Sequence, residues 1–394
     1  MKRLQIGITA HDFLNWSGGI DFLWTVNDSL LTSPRSETAD FHLIIPDSGI
    51  RFFWSRVREI LTGKIPARPG SSELRDNFLE FGDRISTHRV DTGRNAIRRI
   101  ADRLNLDVLL PVMHSLGRNF PRPWVAYAYD FQHKYFPDNF SAERIRARDR
   151  HFDDLLTEAR AVIVNSKAAA SDIERFVLQA TARVFALPFA PAPRRDWLEP
   201  RPEILARYQI APPYFIICNQ FWAHKDHATA FEAFATVAKS NPDVSLVCTG
   251  LTGGAMDPDY ARGLLEPLER VGIKNRVQIL GLIPKRDQIE LLKHSCALIQ
   301  PTLFEGGPGG GAVYDAVSLG VPAIVSDIPV NRELPQDDRI VFFPARNPGT
   351  LAARMEEQLR APRVEIEPEA LQASGRQRRA RCGEVLWSAI DFVL

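Results

Sequence analysis

The stretch "PTLFEGGPGGGAVYDAVSLGVPAIVSD", residues 301–327, places five glycines and a proline in the six positions between Glu305 and Ala312, then continues in an apolar helical pattern. A strand ending in "LIQPTLFE", a glycine-rich loop and a helix opening near Ala312 make the arrangement in which backbone N–H groups and a positive helix terminus hold a phosphate. Glycine suits such a loop because a Cβ would block the close approach or the positive φ angles it uses. The plain alternative is a surface turn, but a simple turn does not need five glycines between two carboxylates. Glu305 begins the loop and Asp315 lies one turn into the helix, so both can address one ligand. One carboxylate can accept hydrogen bonds from a sugar and the other from a ribose.

A carboxylate is a poor partner for a diphosphate, so a cation must come from elsewhere. "NQFWAHKDHATAFEAF" supplies Lys225, directly after the strand "YFIICNQ" and at the start of a helix. A compact ammonium there would neutralise phosphate charge; the alternative is an ordinary solvated lysine.

Working outward, short apolar runs alternate with helical patterns along the whole chain. "LQIGITA", "FHLIIPD", "VLLPVM", "WVAYAYD", "AVIVNS" and "VFALPF" occupy the first half; "YFIICNQ", "SLVCTG", "VQILGL", "CALIQPT", "PAIVSD" and "IVFFP" occupy the second. Runs this continuously apolar, separated by helices, indicate parallel strands covered on both faces. Two series mean two doubly wound α/β domains, and 394 residues suffice for two cores. "PFAPAPRRDWLEPRPE", residues 188–203, has five prolines and predicts a stiff connection. The expected organisation is a Rossmann-like domain over 1–190, a linker over 191–204, a second Rossmann-like domain over 205–372, and a terminal helix over 373–394 that can pack on either domain, the two domains facing across a cleft.

With 45% hydrophobic and 25% charged residues and a net charge of +1, the composition argues against a disordered, collagenous or nucleic-acid-coating chain. Residues 51–122 nevertheless hold 14 Arg/Lys against 8 Asp/Glu, a local excess of +6. Within them, "RFFWSRVREILTGKIPAR", residues 51–68, reads as a basic, aromatic-bearing helix of a kind that rests on anionic lipid, although an ordinary packed helix fits as well. Cys218, Cys248, Cys296 and Cys382 are spaced for neither zinc nor disulfides and read as free thiols in a reducing compartment. No run approaches a membrane span, so a soluble cytoplasmic protein is expected, with peripheral contact on the inner membrane face as the variant suggested by residues 51–68.

Together these residues resemble the GT-B glycosyltransferases of the retaining family 4 type (glycosyl transferases group 1). In that family a strand leads to a Glu, a Gly-rich loop and a second acid opening a helix, followed by "EA-x-x-x-G-x-P-V-I-x-S-D"; here "DAVSLGVPAIVSD" stands in the matching place. The resemblance implies a nucleotide-sugar donor, with Glu305 on the donor sugar, Asp315 on the ribose, Lys225 on the diphosphate, and Gly306, Gly307, Gly309, Gly310, Gly311 and Ala312 lining the donor loop. Nine residues separate Glu305 from Asp315 where the family commonly has seven, and Asn219 or Gln220 stands where it often has an Arg. In the first domain, Gly18 and Gly19 match a glycine pair near the donor phosphate or acceptor, and the resemblance turns Asp130 and His133 toward the reacting sugar. It also implies retention of anomeric configuration, a hexosyl and specifically mannosyl group among the candidates, GDP- or UDP-sugars as donors, a saccharide or lipid-linked acceptor in bacterial polysaccharide or oligosaccharide synthesis, and no metal or other cofactor.

Three other readings stay open from sequence. A Rossmann dehydrogenase would want G-x-G-x-x-G after the first strand, which "AHDFLNWSGG" does not provide. A GT-B sugar-nucleotide epimerase shares the fold and needs no acceptor. A non-catalytic nucleotide-sugar-binding subunit would bind without turnover.

Overall fold

The computed structural model describes residues 2–14, 17–46, 78–91, 94–252, 260–362 and 364–394. The basic segment 51–68 lies outside them.

Two compact units account for the chain. The first comprises Met1–His133, Phe140–Pro188 and Arg379–Leu394; the second comprises Lys134–Asn139 and Phe189–Arg378. The first carries a seven-stranded sheet of β1 (Leu4–Thr9), β2 (Ala39–Pro46), β3 (Ile85–Val90), β4 (Val108–Val112), β5 (Trp124–Ala128), β6 (Ala161–Val164) and β7 (Arg183–Ala186), in the order β3-β2-β1-β4-β5-β6-β7. The second carries β8 (Tyr214–Cys218), β9 (Ser245–Thr249), β10 (Val277–Ile279), β11 (Leu298–Gln300), β12 (Ala323–Ser326) and β13 (Ile340–Phe343), in the order β10-β9-β8-β11-β12-β13. Every pairing is parallel.

The apolar runs explain this arrangement, because a strand buried on both faces must be apolar at successive positions. In β8, Phe215 and Ile217 join a core with the helices His227–Ser240 and Pro348–Arg360, while Tyr214 and Ile216 join a second core with the helices Lys285–His294 and Gly310–Ser318. In the first unit, Leu109 and Val112 of β4 and Ala126 and Ala128 of β5 share a core with Phe152, Leu155 and Leu156 of the helix Ala142–Glu158.

Three boundaries differ from the sequence expectation. The proline-rich stretch is no free spacer: Trp197 is buried in the second unit's core beside Ile204, with the Arg194 guanidinium 5.1 Å from the centre of its ring. Lys134–Asn139 is part of the second unit although it interrupts the first in sequence. The last helix runs from Pro368 to Val393, earlier and longer than 373–394, and is divided between the units at Arg378 and Arg379. No helix among the described residues is long and apolar enough to cross a membrane.

Candidate active site

In the second sheet the strand order reverses between β8 and β11, so the loops leaving their carboxyl ends diverge and open a crevice. Lys225 leaves the loop after β8 and Glu305 the loop after β11. The loops are tied together at several points. Leu303 N–H donates to the His224 carbonyl at 2.7 Å, and the Thr302 hydroxyl donates to the same oxygen at 3.3 Å. Asn219 Nδ2 donates to Gln300 Oε1 at 2.6 Å, and Gln300 Nε2 donates both to Glu305 Oε1 at 3.0 Å and to the Gly309 carbonyl at 2.9 Å. Asp226, in left-handed conformation, caps the helix His227–Ser240 through Thr229, which fixes Lys225 one residue ahead of the cap. Lys225 Nζ consequently lies 2.5 Å from Glu305 Oε1, with the two side chains 13% and 11% exposed.

The glycines divide by role. Gly309 and Gly310 adopt φ of +69° and +62°. A Cβ on Gly310 would stand 2.8 Å from the Glu305 carboxyl carbon, and one on Gly309 would stand 2.5 Å from Val313 Cβ. Gly309 N–H donates to Asn331 Oδ1 at 2.8 Å, and Asn331 in turn donates to the Ser326 carbonyl. Gly311 is exposed and a Cβ there would meet nothing, while Gly306 and Gly307 are half-buried. The Ala312 methyl packs into the core, so only its backbone can serve a ligand. Amides in the first turn of a helix have no intrahelical acceptor, and those of Gly311 and Ala312 fall in that turn.

Asp315 is buried, and Lys285 Nζ donates to its Oδ2 at 2.6 Å. The Lys285 side chain is 33% exposed against 7% for Asp315, so solvent meets the ammonium before the carboxylate. Asp315, expected on the ribose, is ion-paired with Lys285. Asn219, expected to touch the donor, turns its amide nitrogen to Gln300 and braces the loops. Burial, with repulsion from Lys225, pushes His224 and His227 down to about 3, so both are neutral; burial likewise pushes the Cys218 thiol up to about 12 and makes it inert.

In the first unit the reversal falls between β1 and β4. Gly18 and Gly19 sit in the first turn of the helix Ser17–Thr32, which follows β1. His114 Nδ1 lies 2.8 Å from Asp12 Oδ2, and the His114 and His151 rings are 4.7 Å apart. The Asp12 carboxylate raises His114 above the usual imidazole value, while burial pushes His151 down to about 4. Asp130 and His133 are joined by Arg148, which donates to Asp130 Oδ1 at 2.7 Å and to His133 Nδ1 at 3.1 Å. Because His133 Nδ1 accepts, Nε2 carries the proton and donates to Asp149 Oδ1 at 2.9 Å. His133 is 1% exposed, its ring stacked on Phe152 and both its nitrogens engaged by Arg148 and Asp149. Arg148, Asp12, His114, His151, Gln300 and Lys285 carry no motif that sequence reading could seize, since each acquires meaning only from a neighbour distant in the chain. Among the described residues no group of three or more His, Cys, Asp or Glu side chains is placed to hold a metal ion.

The architecture is GT-B, two Rossmann-like α/β domains. Residues 201–378, most of the second unit, match the family described as glycosyl transferases group 1. The fold is similar across nearly the whole chain to sucrose-phosphate synthase from Thermosynechococcus elongatus (14% identity, 98% of this chain and 96% of that one, TM-score 0.62). It is similar to Anabaena Alr3699/HepE in complex with UDP and glucose (14% identity, 99% and 97%, TM-score 0.59). A glycosyltransferase from Rickettsia africae gives 11% identity, 100% and 98% coverage, and a TM-score of 0.63. No curated protein sequence matches the chain.

Proposed function

We propose that this protein is a retaining hexosyltransferase that moves a sugar from a nucleoside diphosphate sugar to an acceptor hydroxyl. The observation that carries the reading is the Lys225–Glu305 pair held over the glycine loop at the reversal of the second sheet. The loop amides and Lys225 take the diphosphate, Glu305 takes hydroxyls of the donor sugar, and the Asp315–Lys285 pair takes the nucleoside side. In the reaction the bond from the anomeric carbon to the phosphate oxygen breaks, the acceptor oxygen bonds to that carbon on the same face, and the departing phosphate oxygen takes the acceptor proton. Charge grows on the diphosphate as it leaves, so a fixed ammonium and fixed amides stabilise the transition state more than the ground state. No metal ion enters this scheme, so activity should survive EDTA.

The complex of Anabaena HepE with UDP and glucose favours a uridine donor, with GDP-mannose as the alternative. A saccharide or lipid-linked acceptor on a cytoplasmic membrane face is supported by the basic, aromatic sequence at 51–68 and by four free cysteines. The test is incubation with a set of UDP- and GDP-sugars and NMR of the product. Transfer or slow hydrolysis with retained anomeric configuration is expected. Inversion would overturn the mechanism, isomerised donor without acceptor would identify an epimerase, and binding without turnover would identify a non-catalytic subunit.

A further inference from the structure

The structure assigns to the second unit an aromatic row beside the Lys225–Glu305 pair that binds the apolar face of a pyranose ring. The assignment rests on the sugar-transfer reading above and adds where a sugar ring lies. Tyr135 and Phe304 have ring centres 5.4 Å apart, Phe304 meets Phe136 edge-on at 6.2 Å, Phe136 lies 6.4 Å from His224, and His224 lies 5.5 Å from Trp222. The ends of this row reach solvent: Tyr135 is 45% and Trp222 39% exposed, while the His224 ring between them is buried. Large aromatics are ordinarily withdrawn from water, and among the described residues only Phe392, at 36%, is exposed besides these two. Two exposed rings terminating one row at a polar site therefore need a reason.

The row is bolted to the polar groups it adjoins. Phe304 immediately precedes Glu305, Lys225 N–H donates to the Trp222 carbonyl at 2.8 Å, and Leu303 N–H donates to the His224 carbonyl. His224 is neutral, so the row presents no charge of its own at neutral pH. A surface that combines uncharged π faces with an adjacent carboxylate and ammonium matches one chemistry closely. A pyranose carries C–H groups on its faces, which pack on aromatic rings, and hydroxyls on its rim, which bond to charged side chains. A lipid chain or an apolar peptide would use the rings but would bury the ion pair against hydrocarbon at a cost. The ring that lies here belongs either to the donor or to the acceptor.

Saturation-transfer NMR on the full chain tests this, using UDP-glucose in one arm and methyl glucoside, mannoside and galactoside in the presence of UDP in the other. Trp222→Ala and Tyr135→Ala should weaken pyranose binding by about tenfold, the scale of one lost aromatic contact, while leaving uracil saturation in UDP, which carries no sugar donor group, unchanged. Trp222→Phe should restore most of the pyranose signal. A loss in the UDP-glucose arm assigns the row to the donor hexose, and a loss in the glycoside arm assigns it to the acceptor sugar. Pyranose signals that are absent from the wild-type protein in both arms, or unaffected by both alanine variants, would overturn the proposal. So would variants that lose only binding to phosphatidylcholine vesicles. Failure of the sugar-transfer reading itself would look different, as a wild-type protein with no saturation of uracil or guanine protons from UDP or GDP.

Discussion

Replacing Lys225 by Met and Glu305 by Gln, singly and together, separates what the ion pair contributes to stability from what it does in catalysis. Each side chain of the pair is roughly nine-tenths buried, so the case lies nearer a buried bridge, where removing one partner costs about 3–5 kcal/mol, than an exposed one worth about 0–1 kcal/mol. Glu305 keeps the Gln300 amide as a donor at 3.0 Å, which reduces the loss on Lys225→Met to about 2–3 kcal/mol. Glu305→Gln leaves an ammonium that can swing toward water, and should cost about 1–2 kcal/mol. The double variant buries no charge and should cost no more than about 1 kcal/mol, which against a summed single-variant loss of about 3–5 kcal/mol makes the coupling about 2–5 kcal/mol. Turnover should behave otherwise: every variant lacking Lys225 should lose a factor of about 10²–10³, and the double variant should not recover it. Urea unfolding followed by circular dichroism supplies the stabilities, and release of UDP from UDP-glucose supplies the rates. A coupling below about 0.5 kcal/mol would refute the pair as a buried unit, and a stable double variant with wild-type turnover would refute its role in the reaction.

Lys285→Met and Asp315→Ala should each lower nucleotide affinity about tenfold, because either change dismantles one ion pair; unchanged affinity by calorimetry would remove that pair from the nucleoside side. Gly310→Ala forces a Cβ to 2.8 Å from the Glu305 carboxyl group at a φ of +62°, and should abolish donor binding while circular dichroism shows an intact fold. On acidification, His224 and His227 stay neutral in the folded chain down to about 3 but take up protons near 6.5 when unfolded. Between those values the unfolded chain binds more protons, so stability falls as pH falls. His227→Phe should make that slope shallower by about one proton, or ~1.4 kcal/mol per pH unit; parallel slopes for variant and wild type in urea titrations would contradict it.

Much of the fold was legible because a strand covered on both faces must be apolar along its length, and such runs in "VLLPV", "YFIIC" and "AIVS" leave little choice. The glycine loop was legible for a related reason: Gly309 and Gly310 stand where the backbone turns left-handed, a demand that few other residues meet. What the sequence hid were the partners. Nothing near Asp315 announces Lys285, thirty residues earlier, and nothing near His133 announces that Arg148 and Asp149, a helix away, take both its ring nitrogens. A histidine just past a strand looks alike whether it faces solvent or core; here Phe131 and Phe152 enclose it and decide the matter. The proline-rich stretch misled because prolines suggest a spacer, whereas one tryptophan among them is enough to anchor it.

The terminal helix has a consequence for how the chain comes to be folded. Its last residues, Arg379–Leu394, complete the first unit: Trp387 packs on Phe41, Asp391 bonds Arg35 at 2.6 Å, and Gly383 lies so close to the Ser29 carbonyl that a methyl group there would stand 2.4 Å from it. During synthesis the second unit's main segment, Phe189–Arg378, is translated before those residues are made. The half of the protein that is translated first is therefore the half that is finished last. Until the final turn of helix arrives, the first unit must wait with an open seam along β2 and the helix Ser17–Thr32, and any chain truncated near its end is released with that seam exposed.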